Sequence, residues 1–443
     1  MIEVCTVGGY SEVGKNMTAI KVDDEVVILD MGVFMDKYIL FNKEFEEGRH
    51  ISTDELIKEG ALPDINFISE WKKMVKAIVI SHAHMDHAAA IPFMADRFSA
   101  PIICTPFTAE VIKSLAADQK VKISNRIKSV NVNSSIKLTK NIKIEFVNST
   151  HSIPQTVMVA MHTPEGIVLY ATDFKFDNTP TLGKKPNYER IKQLGKIGVK
   201  VLIVDSLYSN SPIKMPSEAV AKEMLKDVML GTTYHGKAVI ITTFASHLAR
   251  LKSIIEFGKR MNRKIIFLGR SLGKYVHAGE QIGIVDFSSQ VDIVRFREKI
   301  AKRLKKIKDR KDKYLIVCTG HQGEPNAVLS RIVNDEYQFK LDKGDHVVFS
   351  STIIPTEMNK NARAIIEAKM AKKGVRIFRD IHVSGHSARE DLRDLFQMVM
   401  PKHIIPSHCG NDKAMGAVTL AEEFGYKRGE TVHLMKDGRR ISF

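Results

Sequence analysis

The chain has 443 residues, with 67 Lys and Arg, 51 Asp and Glu and 16 His, so its formal net charge is +16 with neutral histidines. A hydrophobic share of 44% supports a large core, and a charged share of 27% of both signs excludes a disordered polyelectrolyte. The positive surplus favours a polyanionic partner, either nucleic acid or an anionic membrane surface, or serves solubility alone.

The N-terminus lacks a secretory signal pattern, and no apolar run approaches the roughly 18 residues that span a bilayer. The four cysteines form no CxxC pair, which indicates buried free thiols; they are Cys5, Cys104, Cys318 and Cys409. We therefore expect a cytoplasmic protein that spans no membrane, and the motifs described below favour nucleic acid, and no membrane, as the partner.

Apolar runs in the first half predict mainly strands, at Val26–Leu29, Ala77–Ile80, Ile102–Cys104, Ile142–Val147, Met158–Met161, Ile167–Ala171 and Val201–Val204. The middle adds helices at Ser217–Leu230, His247–Met261 and Thr356–Lys372, and strands at Ala238–Thr242, Ile265–Leu268, Leu315–Cys318 and His346–Phe349. The last elements are strands at Val375–Phe378, His403–Ile405 and Thr431–Leu434 and helices at Arg389–Val399 and Asp412–Phe424. This alternation predicts an α/β chain with largely parallel, covered sheets in the middle region.

A cluster of polar residues directly follows the strand predicted at Ala77–Ile80. It holds His82, His84, Asp86 and His87 within six residues. Imidazole and carboxylate ligands suit Zn²⁺, with Mn²⁺ and Fe²⁺ as competitors, and a loop that turns alternate side chains can serve two ions. Other predicted strands end in further candidate ligands, namely Asp30, His151 and Asp173.

These residues, in this order, resemble the metallo-β-lactamase superfamily, whose fold is an αββα sandwich with a binuclear site at one edge. The resemblance implies His82, His84 and His151 as ligands of one metal, Asp86 and His87 as ligands of the second, and Asp173 as the bridge. It also implies that Asp30 orients a ligand histidine by a hydrogen bond without touching metal.

Three later positions extend the resemblance, because Asp205, His386 and His408 match motifs A, B and C of the β-CASP nucleases. The match implies an inserted β-CASP α/β domain at 207–382 and a metallo-β-lactamase domain divided between 1–206 and 383–443. Five segments are similar to ribonuclease J in particular: 8–14, 243–246, 269–271, 318–325 and 382–386. His321 stands where bacterial members usually have Ser, and the chain stops at Phe443 without their C-terminal domain, so we expect the archaeal branch.

The resemblance implies a 5′-to-3′ exoribonuclease that hydrolyses single-stranded RNA from a 5′ end, with a monophosphate end as the expected form. Two Zn²⁺ per chain, replaceable by Mn²⁺ or Mg²⁺, would activate water and neutralise charge at phosphorus. Asp86 would act with the second metal, whose coordination His408 completes. His386 would be the general acid, kept charged by Asp205. Family members commonly form homodimers, and the alternative activity is an endoribonuclease that cleaves internally without 5′-end dependence.

A pocket for the RNA 5′ phosphate follows from the same resemblance, with His382, Ser384, Gly385, Gly320, His321, Gln322, Arg270 and Ser246 as its residues. Backbone amides at glycine-rich turns bind anions, and an arginine adds a bidentate contact. Arg270 is also compatible with an ion pair at a domain interface, and Ser246 with a plain helix N-cap.

The charge is concentrated at 295–313, where eleven Lys and Arg oppose three acids, a net +8. Helical spacing of apolar residues predicts one buried face there, formed by Ile293, Phe296, Ile300, Leu304 and Ile307. This amphipathic helix either flanks the RNA path or is a solvated surface far from it.

Overall fold

The computed structural model describes residues 1–46, 52–354 and 356–443. The chain divides into two compact units, which we call unit 1 (Met1–Asn178, Lys184–Met215 and Ser384–Phe443) and unit 2 (Thr179–Gly183 and Pro216–Val383). No helix in these ranges is both long enough and apolar enough to span a membrane.

The strands are numbered along the chain as β1 (Ile2–Gly8), β2 (Met17–Val22), β3 (Glu25–Leu29), β4 (Val75–Val79), β5 (Ile102–Cys104), β6 (Ile127–Ser129), β7 (Ser135–Lys137), β8 (Lys143–Asn148), β9 (Val157–Thr163), β10 (Gly166–Ala171), β11 (Val199–Asp205), β12 (Val239–Thr242), β13 (Lys264–Leu268), β14 (Asp292–Val294), β15 (Tyr314–Cys318), β16 (His346–Phe349), β17 (Arg376–Phe378), β18 (His403–Ser407) and β19 (Arg439–Ser442).

The helices are α1 (Met35–Glu46), α2 (Thr53–Lys58), α3 (Met85–Ala88), α4 (Ile91–Met94), α5 (Pro106–Asp118), α6 (Tyr188–Ile197), α7 (Glu218–Gly231), α8 (Leu248–Arg260), α9 (Arg270–Gln281), α10 (Arg297–Ile307), α11 (Val328–Val333), α12 (Glu357–Lys372), α13 (Arg389–Val399) and α14 (Asn411–Glu423). Short 3-10 helices cover Ile65–Met74, Ala95–Arg97 and Lys308–Lys313.

Unit 1 is built on two mixed sheets, with strand orders β19-β1-β2-β3-β4-β5-β6 and β18-β11-β10-β9-β8-β7. Their facing sides share one core, to which Val79 contributes from the first sheet and Val168 from the second. The next residue along β10, Leu169, points to the opposite face and packs in a second core with α6, α13 and α14. Both faces of the second sheet are therefore buried, as in the αββα sandwich expected from the sequence.

Unit 2 contains a single parallel sheet in the order β14-β13-β15-β12-β16-β17. One face packs against α10, α11 and α12, through residues such as Ile240, Ile316 and Leu304. The predicted alternation of strands and helices is confirmed here. Because all six strands run the same way, their carboxyl ends meet at one edge of the sheet.

Most predicted elements are confirmed to within two residues, and the β9–β10 hairpin pairs antiparallel. All four cysteines are buried and free. The strand predicted at Thr431–Leu434 is wrong, because Val432 makes only isolated bridges to Ile404 and Arg428. No element was predicted from the sequence at β1, β2, β6, β7, β14 and β19, or at α1 to α6, α9 and α11.

The apolar face predicted for the basic helix is wrong at its beginning. The helix starts at Arg297, so Ile293 lies on β14 instead, and Phe296 precedes the first turn with 58% of its surface exposed. Only Ile300, Leu304 and Ile307 are buried on that helix.

Candidate metal centre and phosphate-binding residues

The candidate site residues of unit 1, both metal ligands and their hydrogen-bond partners, lie where strands end. The positions are Asp30 after β3, His82 after β4, His151 after β8, Asp173 after β10, Asp205 at the end of β11 and His408 after β18. Asp30, Asp173 and His408 adopt positive φ angles of 60°, 51° and 60°. Left-handed backbone costs a non-glycine residue about 1–2 kcal/mol, and here it turns the chain sharply at the edge of each sheet.

A first cluster is formed by His82, His84, His151 and Asp173, whose ligand atoms lie within 4.8 Å of one another. The His84 Nδ1 atom is 3.2 Å from His82 Nε2 and 3.0 Å from His151 Nε2. Burial, outweighing the attraction of Asp173, holds the pKa of His84 and His151 well below the usual range. Both rings are therefore neutral and have a lone pair to offer a metal.

A second cluster is formed by Asp86, His87, Asp173 and His408. The His87 Nε2 atom is 3.2 Å from Asp173 Oδ1 and 3.6 Å from Asp86 Oδ2. His408 Nδ1 lies 3.6 Å from the same Asp173 oxygen. Burial lowers the pKa of His87, but the carboxylates of Asp173, Asp86 and Asp30 outweigh it and raise that pKa well above its usual value.

Asp173 stands between the two clusters. Its Oδ2 atom is 3.4 Å from both His82 Nε2 and His151 Nε2, while its Oδ1 atom faces the second cluster. Burial raises the pKa of this carboxyl, but His408, His87 and His386 outweigh burial and keep it well below its usual range. Oδ1 is buried and accepts no hydrogen bond from the described residues.

The first cluster fits a zinc ion in size and chemistry. Zn–N distances of 2.0–2.1 Å in a tetrahedron separate ligand nitrogens by about 3.3–3.4 Å. The four distances of 3.0–3.4 Å among the ligand atoms given above are close to that value. Three imidazoles and a carboxylate are ligands of Zn²⁺, and the orphaned Asp173 Oδ1 leaves an acceptor for a second cation.

Hydrogen bonds from outside each cluster hold the ligand rings. Asp30 Oδ2 accepts from His87 Nδ1 at 2.7 Å, and Asp30 also accepts from Ser81 through its backbone N–H and its hydroxyl. The Gly385 carbonyl accepts from His151 Nδ1 at 2.7 Å. These bonds direct the Nε2 atom of each ring inward.

Two placements here were not foreseen. Gly385, which the resemblance assigns to the phosphate pocket, lies against His151, and a Cβ atom on it would approach His151 Nδ1 to 2.6 Å. Asn16 was missed altogether. Its Oδ1 is 3.1 Å from His408 Nδ1 and its Nδ2 is 3.0 Å from His87 Nε2. The only signal in the sequence is a polar residue directly before β2.

His386 and Asp205 form a pair beside the clusters. His386 Nδ1 is 2.8 Å from Asp205 Oδ2 and 4.0 Å from Asp173 Oδ2. Burial lowers the pKa of His386, but the two carboxylates outweigh it and raise the pKa to about 9. The ring is therefore cationic at neutral pH, with Nδ1–H donated to Asp205. Ser384 Oγ accepts from the His386 backbone N–H at 3.1 Å.

The unit 2 members of the predicted phosphate set lie at the carboxyl edge of its sheet. Ser246 follows β12, Arg270 follows β13, and Gly320, His321 and Gln322 follow β15. The His321 ring contacts the ring of Phe244 at 4.2 Å, and Phe244 contacts His382 at 5.9 Å. The Gln322 amide bonds to the backbone of Thr352 and Ile354, so this side chain holds its own loop in place.

A buried ion pair next to His382 was not predicted from the sequence either. Arg250 is fully buried and donates to both carboxylate oxygens of Glu218, at 2.6 and 2.8 Å. Its Nη1 atom also donates to the carbonyls of Ser350 and Ile381 and lies 3.4 Å from His382 Nδ1. The network positions the backbone at His382, and long-range pairing of this kind leaves no local signal in the sequence.

Comparison with known proteins places this geometry in a family. The model "Ribonuclease J, beta-CASP domain" matches residues 236–368, the "Beta-lactamase superfamily domain" matches 65–226, and the "Zn-dependent metallo-hydrolase RNA specificity domain" matches 375–434. Ribonuclease J of Methanocaldococcus jannaschii is 42% identical over 100% of this chain and 99% of its own. The chain belongs to the ribonuclease J family.

Ribonuclease J of Pyrococcus abyssi is also 42% identical, over 100% of this chain and 97% of its own. A crystal structure of a protein of unknown function from Enterococcus faecalis V583 has a TM-score of 0.66 at 16% identity, covers 99% of each chain, and shows the fold alone. The family confirms the expected fold class and enzyme class. This ribonuclease J family member is a metal-dependent β-CASP nuclease that binds RNA.

Proposed function

We propose that this protein is a 5′-to-3′ exoribonuclease that hydrolyses single-stranded RNA from a 5′-monophosphate end with two divalent metal ions. The observation that carries the proposal is the pair of His/Asp clusters sharing Asp173, with the His386–Asp205 pair beside them. Zn²⁺ is the expected ion, with Mn²⁺ or Mg²⁺ as substitutes, because imidazole-rich sites suit zinc.

The ligands proposed for one ion are His82, His84 and His151, those for the other are Asp86, His87 and His408, and Asp173 serves both. Two bound divalent ions supply Lewis-acid chemistry, since they acidify water and neutralise charge on the phosphoryl oxygens. Asp30, Gly385 and Asn16 keep the ligand rings oriented by hydrogen bonds.

His386 is the proposed general acid. Asp205 holds its Nδ1–H, so the Nε2–H of the cationic ring is the proton available to the leaving oxygen of the RNA. Asp205 has its second role in keeping the ring charged, since a neighbouring carboxylate favours imidazolium.

Dependence on the 5′ end is proposed from the residues of the predicted phosphate set. Within unit 2, the glycine-rich turn at Gly320, with Ser246, His382 and Arg270, offers groups suited to a terminal phosphate; Ser384 and Gly385 offer a further turn in unit 1. The names of the archaeal relatives support RNA as the polymer. A homodimer stays a prediction, which light scattering on the purified protein tests.

A time course on one RNA with a 5′-hydroxyl, a 5′-monophosphate or a 5′-triphosphate tests the activity. A 5′-labelled monophosphate substrate should release labelled mononucleotide from the first time points, and the other two ends should be slower. Internal fragments appearing first, at equal rates for all three ends, would instead identify the endoribonuclease alternative.

A further inference from the structure

A groove with no role in the proposed chemistry opens at the end of β14 in unit 2. Its volume is about 480 Å³, and its lining includes Arg295, Phe296, Lys299, Lys302, Arg303 and Lys306. We call this surface the Phe296 groove. Five of these six side chains are cationic, so the groove is suited to a polyanion.

Phe296 is the unusual member of the lining, because an aromatic side chain with 58% of its surface exposed contributes little to the core. The buried face of α10 is complete without it, since Ile300, Leu304 and Ile307 fill that role. The Lys299 ammonium lies 5.9 Å from the centroid of the ring. An exposed aromatic ring with a cation beside it is the arrangement on which unpaired nucleobases stack.

The positive charge of the groove is largely uncompensated. Its lining contains one acid, Asp292, which pairs with Arg303 at 2.5 Å. Lys299, Lys302 and Lys306 are exposed and form no ion pair with any residue that the structure describes. Their i, i+3 and i+7 spacing puts the three lysines on one face of α10, about 4.5–6 Å apart along its axis, so they can contact phosphates of one strand.

The groove is continuous with the edge that carries the predicted phosphate residues of unit 2. Strand β14 pairs in parallel with β13, and the Gly269 N–H donates to the Val294 carbonyl at 3.0 Å. Arg295 Nη2 donates to the Gly273 carbonyl at 2.8 Å, on the helix whose first residue is Arg270. A strand of RNA bound along this carboxyl edge therefore reaches the groove.

We propose that the Phe296 groove is a second binding subsite for single-stranded RNA, in which a base stacks on Phe296 and the backbone contacts Lys299, Lys302 and Lys306. This inference deepens the proposed function and rests on RNA being the substrate. Stacking on an exposed ring requires an unpaired base, so the contribution of the ring distinguishes a single strand from duplex RNA, whose bases are already paired.

Binding of the full chain to a labelled phosphorothioate RNA of about 24 uridines, which resists hydrolysis, tests the stacking contact. Loss of one stacked base weakens binding roughly 5- to 150-fold, and we expect this for Phe296→Ala. Phe296→Tyr should bind like the unaltered protein, and Phe296→Ala should leave the affinity for a duplex RNA unchanged. Equal affinity of Phe296→Ala and the unaltered protein for the single strand would overturn the proposal, as would an equal loss on the duplex.

The phosphate contacts are tested by the salt dependence of the same binding. The double substitution Lys299→Glu with Lys306→Glu removes two phosphate contacts. The slope of the logarithm of the association constant against the logarithm of salt concentration should therefore become less negative by about 1.4. The control is Lys305→Glu with Lys308→Glu, which changes the charge equally at exposed positions outside the groove lining. An equal change of the salt slope in the control pair would show that net charge, and not this groove, drives binding. Binding of phosphatidylserine vesicles that is lost only in the groove pair would assign the surface to a membrane and also overturn the proposal.

Hydrolysis separates this inference from the proposed function. A 5′-monophosphorylated RNA of the same length with ordinary phosphodiester bonds should be degraded by Phe296→Ala more slowly than by the unaltered protein at low RNA concentration, and at the same rate at saturating concentration. If the unaltered protein releases no nucleotides, the proposed function fails whatever the binding data show. If it degrades the RNA but Phe296→Ala binds the RNA normally, only the groove proposal fails.

Discussion

At the scale of single residues, the properties of the site come from pairs held at short distance. His386 is cationic because its Nδ1 lies 2.8 Å from Asp205 and its ring is near Asp173. Asp173 is anionic although it is buried, since three histidines face it. Without this pairing, burial alone would lower the pKa of a histidine and raise the pKa of an aspartate, which is the opposite of what is found here.

Replacing His386 by alanine tests its assignment as a proton donor and not a metal ligand. Loss of a general acid costs about 100- to 10,000-fold, so kcat on single-stranded RNA should fall by that factor. The metal content, measured by inductively coupled plasma mass spectrometry, should stay at that of the unaltered protein. His408→Ala is the matched control, and it should lose metal as well as activity. A metal-depleted His386→Ala protein would contradict the assignment.

At the scale of elements, one buried ion pair ties several parts of unit 2 together. Glu218 begins α7 and Arg250 lies on α8, while Arg250 also donates to the backbone at Ser350 and Ile381. Burial raises the pKa of Glu218, but His247 and Arg250 outweigh it and hold the pKa well below its usual range. The pair therefore joins two helices to the segments after β16 and β17.

The depressed pKa of Glu218 predicts how this contribution to stability depends on pH. The pKa of this carboxyl is lower in the folded state than its unfolded value of about 4.3. The carboxylate therefore stabilises the folded state fully above about pH 4.3, and this stabilisation is lost as the pH falls toward the folded pKa. Glu218→Gln removes the carboxylate that balances the buried charge of Arg250 and should lower the free energy of unfolding by about 3–5 kcal/mol at pH 7. The difference between the two proteins should narrow between pH 5 and pH 3.

The difference in free energy of unfolding between Glu218→Gln and the unaltered protein is measured by hydrogen exchange in urea, followed in peptides of α7 and α8 of unit 2. Glu223→Gln, at an exposed acid of the same helix that pairs with Lys226, is the control and should match the unaltered protein at each pH. A difference between Glu218→Gln and the unaltered protein that stays constant from pH 7 to pH 3 would show that the carboxylate does not titrate in this range.

At the scale of the whole molecule, the candidate metal ligands come from many separate segments of unit 1. They span His82 to His408, so bound ions join parts of the chain that are far apart in sequence. Ions that bind only the folded state stabilise it, by about 2.7 kcal/mol for one site at a hundredfold excess over Kd. Unit 1 should therefore be the part of the protein that depends on metal.

Removing the metal by chelation should lower the unfolding temperature of unit 1 by roughly 5–10 °C, and added Zn²⁺ should restore it. The single tryptophan, Trp71, is buried in unit 1 with the Arg440 guanidinium 4.5 Å from its ring, so its fluorescence reports on that unit. Hydrogen exchange of peptides from unit 2 supplies the comparison. If the unfolding temperature followed by Trp71 fluorescence does not change although the metal has been removed, metal binding at the two clusters is contradicted.

Prediction from the sequence succeeded where the signal is local. Parallel strands buried on both faces form continuous apolar runs, so β12, β13, β15 and β16 were found. Strand β19 (Arg439–Ser442) was missed because it contains two arginines and none of its residues is buried, so its sequence lacks the alternation of apolar and polar residues that indicates a strand. The predicted domain limits at 206 and 382 stay predictions.

The amino-acid sequence by itself determined the α/β class, the family and the residue types at the ends of the strands, because each depends on a short segment or on the order of motifs. Only the tertiary structure decided which groups meet. Asp205 reaches His386 across 181 residues, and Asn16 reaches His408 across 392. It also decided that Phe296 is exposed, since the helix begins at Arg297, directly after that residue, and the ring is therefore outside the buried helical face. Such contacts depend on how distant segments pack and on where an element begins, and neither is encoded in a local pattern.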